Sequence, residues 1–316
     1  MKFARKIRNF LTAAPRGNSL GIVFGVMGFA LNSFSDVAYK YVSGTCPVMV
    51  MGFYGFLSTM IFTMIAAAAR GGLRRHLATQ KPGLHVFRGL VMLANFFLFI
   101  YGLSGLPVAQ TYVIDNLSPM VAALLAVLLL KEKLAPYVIG CILVGFAGVL
   151  IVLRPGIVPL NIYAVAILCS TVTFALMNII TRKIGERDST LTFGLYGVGT
   201  MLVPLALYNL HLGWVVPSAR DLAVLLLCGA FSFFGGLANT KAFMIADVAV
   251  VSKFQYTTLL WGGLLGYLLF GDVPDVWVVV GGAVIIGSGV YLAWRENRRS
   301  AREIMQFTGA NPSIPP

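Results

Sequence analysis

The sequence predicts an all-α integral membrane protein of ten transmembrane helices, arranged as two inverted five-helix repeats. Three observations predict it: an apolar, charge-poor composition, ten apolar stretches of spanning length, and a self-similarity at a fixed offset. Of 316 residues, 58% are hydrophobic and only 11% charged, and the mean hydropathy is +0.86. Soluble domains carry about 25% charged residues, so a cytosolic enzyme, a DNA-binding module and a secreted disulfide scaffold are excluded. A bilayer core of about 30 Å takes about 20 apolar residues per helix, which matches about ten spans with short connections and no sizeable soluble domain.

The spans are read from apolar runs broken by charge, Gly, Pro and Asn. They cover about 20–42, 47–69, 84–104, 107–130, 136–153, 160–181, 191–212, 221–244, 247–270 and 275–294. With the N-terminus inside, nineteen Lys and Arg fall in cytoplasmic segments and three (Lys40, Arg154 and Arg220) at outer ends. The positive-inside rule then places both termini in the cytoplasm, at a bacterial inner membrane. The net charge of +13 is therefore topological, and nucleic acid is not expected as a partner. Residues 1–18 set Lys2, Arg5, Lys6 and Arg8 beside Phe3, Ile7, Phe10 and Leu11, an amphipathic cytoplasmic segment suited to the anionic inner leaflet. Residues 297–316 end in NPSIPP and read as a frayed cytoplasmic tail.

Cys46, Cys141, Cys169 and Cys228 are scattered without a CxxC and read as packing residues, while His76, His85 and His211 fall in or beside loops. Neither a metal site nor a cofactor is expected.

The chain also repeats itself. Residues 52–55 read GFYG and 194–197 read GLYG, an offset of 142. Further on the offset is 140: Val108, Ala109, Leu124, Leu125, Leu128 and Leu129 are matched by identical residues, and Ala122 and Ala126 lie over Gly262 and Gly266. The halves are 19–155 and 156–296, each with five spans. Five is odd, so the second half enters the membrane upside down. Inverted repeats of this kind are the signature of secondary transporters, whose halves enclose a site near the midplane and rock about it. The chain has no GxxxxGK[ST] loop for ATP. Coupling to a proton gradient or to exchange of a counter-solute is therefore expected.

The 5 + 5 arrangement, the run LSPMVAALLAVLLLKEKL from 117 and the Gly-rich ILVGFAGVLIVLRPG that follows resemble the EamA family of the drug/metabolite transporter superfamily, over about 20–294. The resemblance implies that the first four helices of each half line a central cavity, and that the fifth of each half scaffolds and pairs, with a homodimer as one outcome. It also implies a small-molecule substrate, an amino acid or related solute, with export slightly favoured over import. One departure stands out. The second half has TTLLW at 257–261 where the first has LSPMV, so a helix-loosening proline is present only as Pro119.

Ionisable side chains inside a bilayer are functional candidates by default. Asp115 lies about 12 Å into the fourth span from the outside and Lys253 about 9 Å into the ninth from the inside. Two readings stand for them: the two ends of a zwitterion-binding site across a shared cavity, or a structural ion pair. Asp115 is also the first choice for a proton-coupling site, with Asp36 second. Asp36 shares a helix face with Asn32 and Lys40, and an i, i+4 salt bridge to Lys40 is its simpler reading. Asn116, Gln255, Tyr256, Trp261, Asn95 and Tyr101 add polar or aromatic groups in the spans, and Tyr54 and Tyr196 sit between the glycines of the repeated motif. Pro119 is the candidate gate, since a loosened helix is tolerated where it lines a cavity.

Two rivals to a metabolite transporter remain at this point. One is a lipid or lipid-intermediate translocase in the same fold, with membrane lipids as partners. The other is a membrane-embedded enzyme. Away from their ends the spans hold no His or Glu, and Asp36 and Asp115 are too far apart in sequence to assign as a pair, so no catalytic residue is expected.

Overall fold

Prolines and glycines set where the helices begin and end. The structure, a computed structural model, describes residues 16–130, 136–154, 161–184, 188–245 and 252–308. The amphipathic stretch expected at the N-terminus lies outside these, apart from the start of the first helix. That helix, α1, is Arg16–Val42, followed by α2 (Val48–Ala69), the short α3 (Leu73–Leu77) and α4 (Pro82–Gly105). Pro47 precedes α2, Pro82 opens α4, and α2 gives way to Gly71 and Gly72 at φ of 108° and 89°. Next come α5 (Val108–Asp115), α6 (Ser118–Leu130), α7 (Pro136–Leu153) and α8 (Ile162–Ile184). The last part holds α9 (Thr190–His211), α10 (Ala219–Ile245), a 3-10 turn (Ser252–Tyr256), α11 (Thr257–Phe270) and α12 (Val276–Thr308). Gly271, at φ 69°, closes α11, its N–H bonding the Tyr267 carbonyl and that of Asp272 the Gly266 carbonyl.

Seven of these helices (α1, α2, α4, α7, α8, α9 and α10) are each long and apolar enough to cross a membrane. The fourth and ninth expected spans are not continuous: one is split into α5 and α6, the other into the 3-10 turn and α11. Within the expected tail, α12 runs on to Thr308, and the rest of that tail, 309–316, lies outside the described residues. Between Trp294 and Thr308 the chain has no Gly or Pro and is rich in Arg, Glu, Ala, Met and Gln, all good helix formers.

Small residues let the helices approach closely, as membrane packing requires. A Cβ on Gly235 would stand 3.1 Å from the Gly28 carbonyl oxygen where α10 crosses α1, and one on Gly148 would stand 3.0 Å from that of Gly281 where α7 meets α12. The principal pairings are α1 with α10, α4 with α8, α7 with α12, and α2 with both α9 and α10. Helix α9 also packs on α4, α5 and α6 on α8, and α11 on α1 and α5. One apolar core gathers Val113, Ile114, Leu117 and Met120 against α7, α8 and α12. A second gathers Val37, Tyr39, Met51, Ile100 and Tyr112 between α1, α2, α4 and α5. The periphery is apolar too: Leu143, Val203, Leu207, Leu260 and Leu268 are each more than 60% exposed. A surface of that kind suits hydrocarbon rather than water, and the protein is a multi-pass membrane protein.

Candidate functional site

The site is built on the break between α5 and α6. Pro119 has no N–H, and its ring crowds the carbonyl four residues back, that of Asp115. Helix α5 accordingly stops at Asp115 and α6 resumes at Ser118. Among the described residues, no backbone N–H reaches the carbonyls of Val113, Asp115 or Asn116. Asn116 caps the broken end, its Nδ2 donating to the Tyr112 carbonyl at 2.7 Å and to Thr258 Oγ1 at 3.3 Å.

At the matching place in the second half, where there is no proline, the 3-10 turn passes into α11 at Thr257. Two threonines stand at this point. Thr257 and Thr258 turn their hydroxyls back onto the carbonyls of Phe254 and Gln255, at 2.6 and 2.7 Å, in competition with the helical backbone bonds. Gln255 Nε2 then donates to Ser118 Oγ at 3.3 Å, tying one break to the other.

Two carboxylates converge beside this junction. Tyr112, on α5, donates its hydroxyl to Asp36 Oδ2 on α1 at 2.8 Å. Asp115, one turn further along α5, is close enough to interact electrostatically with both Asp36 and Tyr112. The two acids, too distant in sequence to pair on paper, are neighbours in the fold. Both lie deep in the helix bundle and both keep accessible surface. The expected Asp36–Lys40 bridge is not made. Lys40 Nζ turns outward to Asp272 Oδ2 at 3.2 Å and to the Leu106 carbonyl at 2.6 Å, where the loops offer a carboxylate and a free carbonyl together.

Unsatisfied polar atoms remain in the same helices. Asn116 Oδ1 and Trp261 Nε1 are buried with no hydrogen-bond partner among the described residues. Trp261 lies one turn beyond Thr258 and packs near Phe34, centroids 6.4 Å apart, which in turn meets Phe231 at 5.8 Å. Buried orphans of this kind call for water or a ligand. Among the described residues no three His, Cys, Asp or Glu side chains cluster in a way that would hold a metal ion.

The remaining candidates are spread more widely. Asn95 joins α4 to α8 through the Ser170 carbonyl (2.8 Å) and Thr173 Oγ1 (3.2 Å). Tyr101 packs on Phe97 and Tyr163 at that seam. Tyr256 closes the 3-10 turn against Gly289, where a Cβ would collide with its hydroxyl. Lys253 lies in the same turn, but its side chain is outside the described residues.

Tyr54 and Tyr196 leave the centre altogether. Tyr54 donates to the Val215 carbonyl at 3.2 Å, and Tyr196 to the Leu77 carbonyl at 2.9 Å. Each strap joins one half to a loop of the other. Sequence reading also missed a clasp at the basic end. There His85 Nε2 and Thr79 Oγ1 meet Asp188 Oδ2 at 2.9 and 2.7 Å, and His76 Nδ1 meets Ser189 Oγ at 2.8 Å. Partial burial pushes the Asp188 carboxyl up, but the bonds from His85 and Thr79 and the charges of His85 and Lys81 outweigh it and hold the group below its ordinary value. The signal was a histidine and an aspartate bounding two loops expected on one face.

The chain is 26% identical to the S-adenosylmethionine uptake transporter of Rickettsia prowazekii over 88% of this chain and 94% of that protein. It is 25% identical to the riboflavin transporter of Brucella anthropi, over 80% and 90% of the two chains. It is 24% identical to the pseudopaline exporter of Pseudomonas aeruginosa, over 86% and 95%. A solved crystal structure shares the fold with a TM-score of 0.63 at 18% identity, covering 88% of this chain and 99% of the other. The sequence pattern of the EamA-like transporter family matches twice, over residues 19–154 and again over 161–295, and the chain belongs to that family.

Proposed function

We infer that this chain is a secondary active transporter, and not an enzyme, which moves a small organic solute bearing a positive charge across the bacterial inner membrane by alternating access. The observation that carries this reading is the convergence of Asp36 and Asp115 on Tyr112, beside a helix break with open carbonyls. The C-terminal end of a half-helix and its freed carbonyls attract cations. Two carboxylates add to that field, and Trp261, Phe34 and Asn116 offer aromatic and amide contacts. S-adenosylmethionine, in the name of one group of relatives, is a sulfonium cation with an aromatic base. Among the relatives some are named for uptake and others for export, so the assay reads flux both ways. Asp115 is the proton-coupling residue in this reading.

Ten spans in two inverted repeats are supported by the double family match and by the helix pairings. Exchanging the halves turns the α1–α10 contact into α8–α4, and α2–α10 into α9–α4, while α2–α9 and α7–α12 map onto themselves. The basic loops support cytoplasmic termini.

The test is counterflow in proteoliposomes. Vesicles preloaded with S-adenosylmethionine, amino acids or amines are expected to accumulate the labelled solute, and an imposed proton gradient is expected to drive net movement. Asp115→Asn should abolish the gradient-driven part and leave counterflow. A folded protein that moves none of these solutes, or a folded D115N variant still driven by the gradient, overturns the reading. Flipping of a labelled lipid instead would identify the translocase.

A further inference from the structure

Gly55 and Gly197 close the two copies of the repeated motif, and each faces a polar side chain from a neighbouring helix. A Cβ on Gly55 would collide with the Tyr39 hydroxyl of α1, and one on Gly197 would come within 3.2 Å of Arg88 Nη1 of α4. In the second half the glycine seats a guanidinium. Arg88 lies in the second turn of α4, about 9 Å along the axis from its basic end, half-buried where α4, α8 and α9 meet. Its Nε donates to Thr181 Oγ1 at 2.7 Å, and the guanidinium stands 5.2 Å from the centroid of Phe193.

Those contacts use one of five N–H donors and one face of the plane. Among the described residues no carboxylate pairs with Arg88, and Asp188, at the same end, is already held by His85 and Thr79. A cation at this depth is kept inside a bundle when it has a partner to meet. A guanidinium with a free Nη fork fits a planar carboxylate in bidentate fashion. The next polar side chain inward on α4 is Asn95, two turns on and bonded across to α8.

We propose that Arg88 is an anion-recognition residue of the transport path, taking the carboxylate of the solute in the half that opens to the basic end. This rests on the reading of Asp36 and Asp115 as the cation site. Asp36 stands about 9 Å from the opposite end of α1, so the two stations lie at matching depths from opposite faces with opposite charge. Such a path selects zwitterionic solutes over plain amines.

Two measurements test it. In the purified full-length protein, phenylglyoxal labelling of Arg88, followed by mass spectrometry, should slow about threefold in acetate relative to chloride at equal ionic strength. That factor corresponds to an anion at about twice its dissociation constant. Labelling of the exposed Arg74 should not change. An Arg88 labelling rate indifferent to acetate overturns the proposal whatever the transport assay gives.

In vesicles, Arg88→Gln should weaken competition by S-adenosylmethionine at least tenfold and leave its decarboxylated form within twofold, with Gly197→Ala shifting the same ratio less. Equal loss of both ligands by a variant with wild-type melting makes Arg88 structural and overturns the proposal. Failure of wild-type protein to take up either ligand counts instead against the solute class, and the labelling result then decides Arg88.

Discussion

Replacing Pro119 by alanine tests whether the break in the fourth span is a moving part. Alanine restores an N–H able to reach the open Asp115 carbonyl and removes the ring that crowds it. One backbone hydrogen bond is worth about 1 kcal/mol net, and lifting the full proline penalty about 3 kcal/mol. At about 1.4 kcal/mol per decade, the continuous helix is favoured roughly 5- to 150-fold more than in the wild type. Opposing this is the cap, since Asn116 would have to give up its bonds to the Tyr112 carbonyl and Thr258. The expected result is a protein of equal or higher melting temperature whose counterflow turnover falls at least fivefold, with solute affinity nearly unchanged. Hydrogen exchange at residues 116–120 should slow in parallel. Wild-type turnover together with slowed exchange would refute the reasoning, because the break would then be a static kink.

Two further outcomes are expected. Tyr54→Phe should speed hydrogen exchange around Val215 and Tyr196→Phe around Leu77, not the reverse, each at a cost below about 1.5 kcal/mol, the worth of one neutral hydrogen bond. Because the Asp188 carboxyl is held below its ordinary value, its stabilising effect is present above the unfolded value and lost as pH falls through the folded one. The melting advantage of wild type over Asp188→Asn should therefore shrink as pH falls below about 4, and an advantage that does not shrink on acidification would sink the assignment.

The long apolar helices were legible because the bilayer imposes a length and a composition on each, and outside the split fourth and ninth runs and the end of α12 the observed helix ends fall within a few residues of the apolar runs. Ends set by Pro47, Pro82, Pro107 and Gly271 carried local signals. The change from 3-10 turn to α-helix at Thr257 did not, because no residue there forbids a helix. The partners of charged groups were hidden for a different reason. Helical spacing offered Lys40 to Asp36, but a lysine near a helix end reaches several loops, and Asp272, 232 residues away, was the better acceptor. Likewise Arg88 counts with the basic loops in any tally of positive charge, and only packing against Thr181, Phe193 and Gly197 separates it from a snorkelling side chain.

The duplicated architecture and the unequal chemistry of its halves belong together. Helix contacts that exchange when the halves are swapped give the chain two equivalent backbones, and equivalent backbones are what allow one half to adopt the other's conformation during rocking. Identical side chains would make the path blind to a solute's orientation. Here Gly55 meets a tyrosine hydroxyl while its repeat partner Gly197 meets a guanidinium, and on the proposed reading the carboxylates lie in one half of the path with Arg88 in the other. On the proposed reading, a solute with separated charges finds a different station at each mouth of an otherwise symmetric frame, so the frame would set the motion and the unmatched residues what is carried.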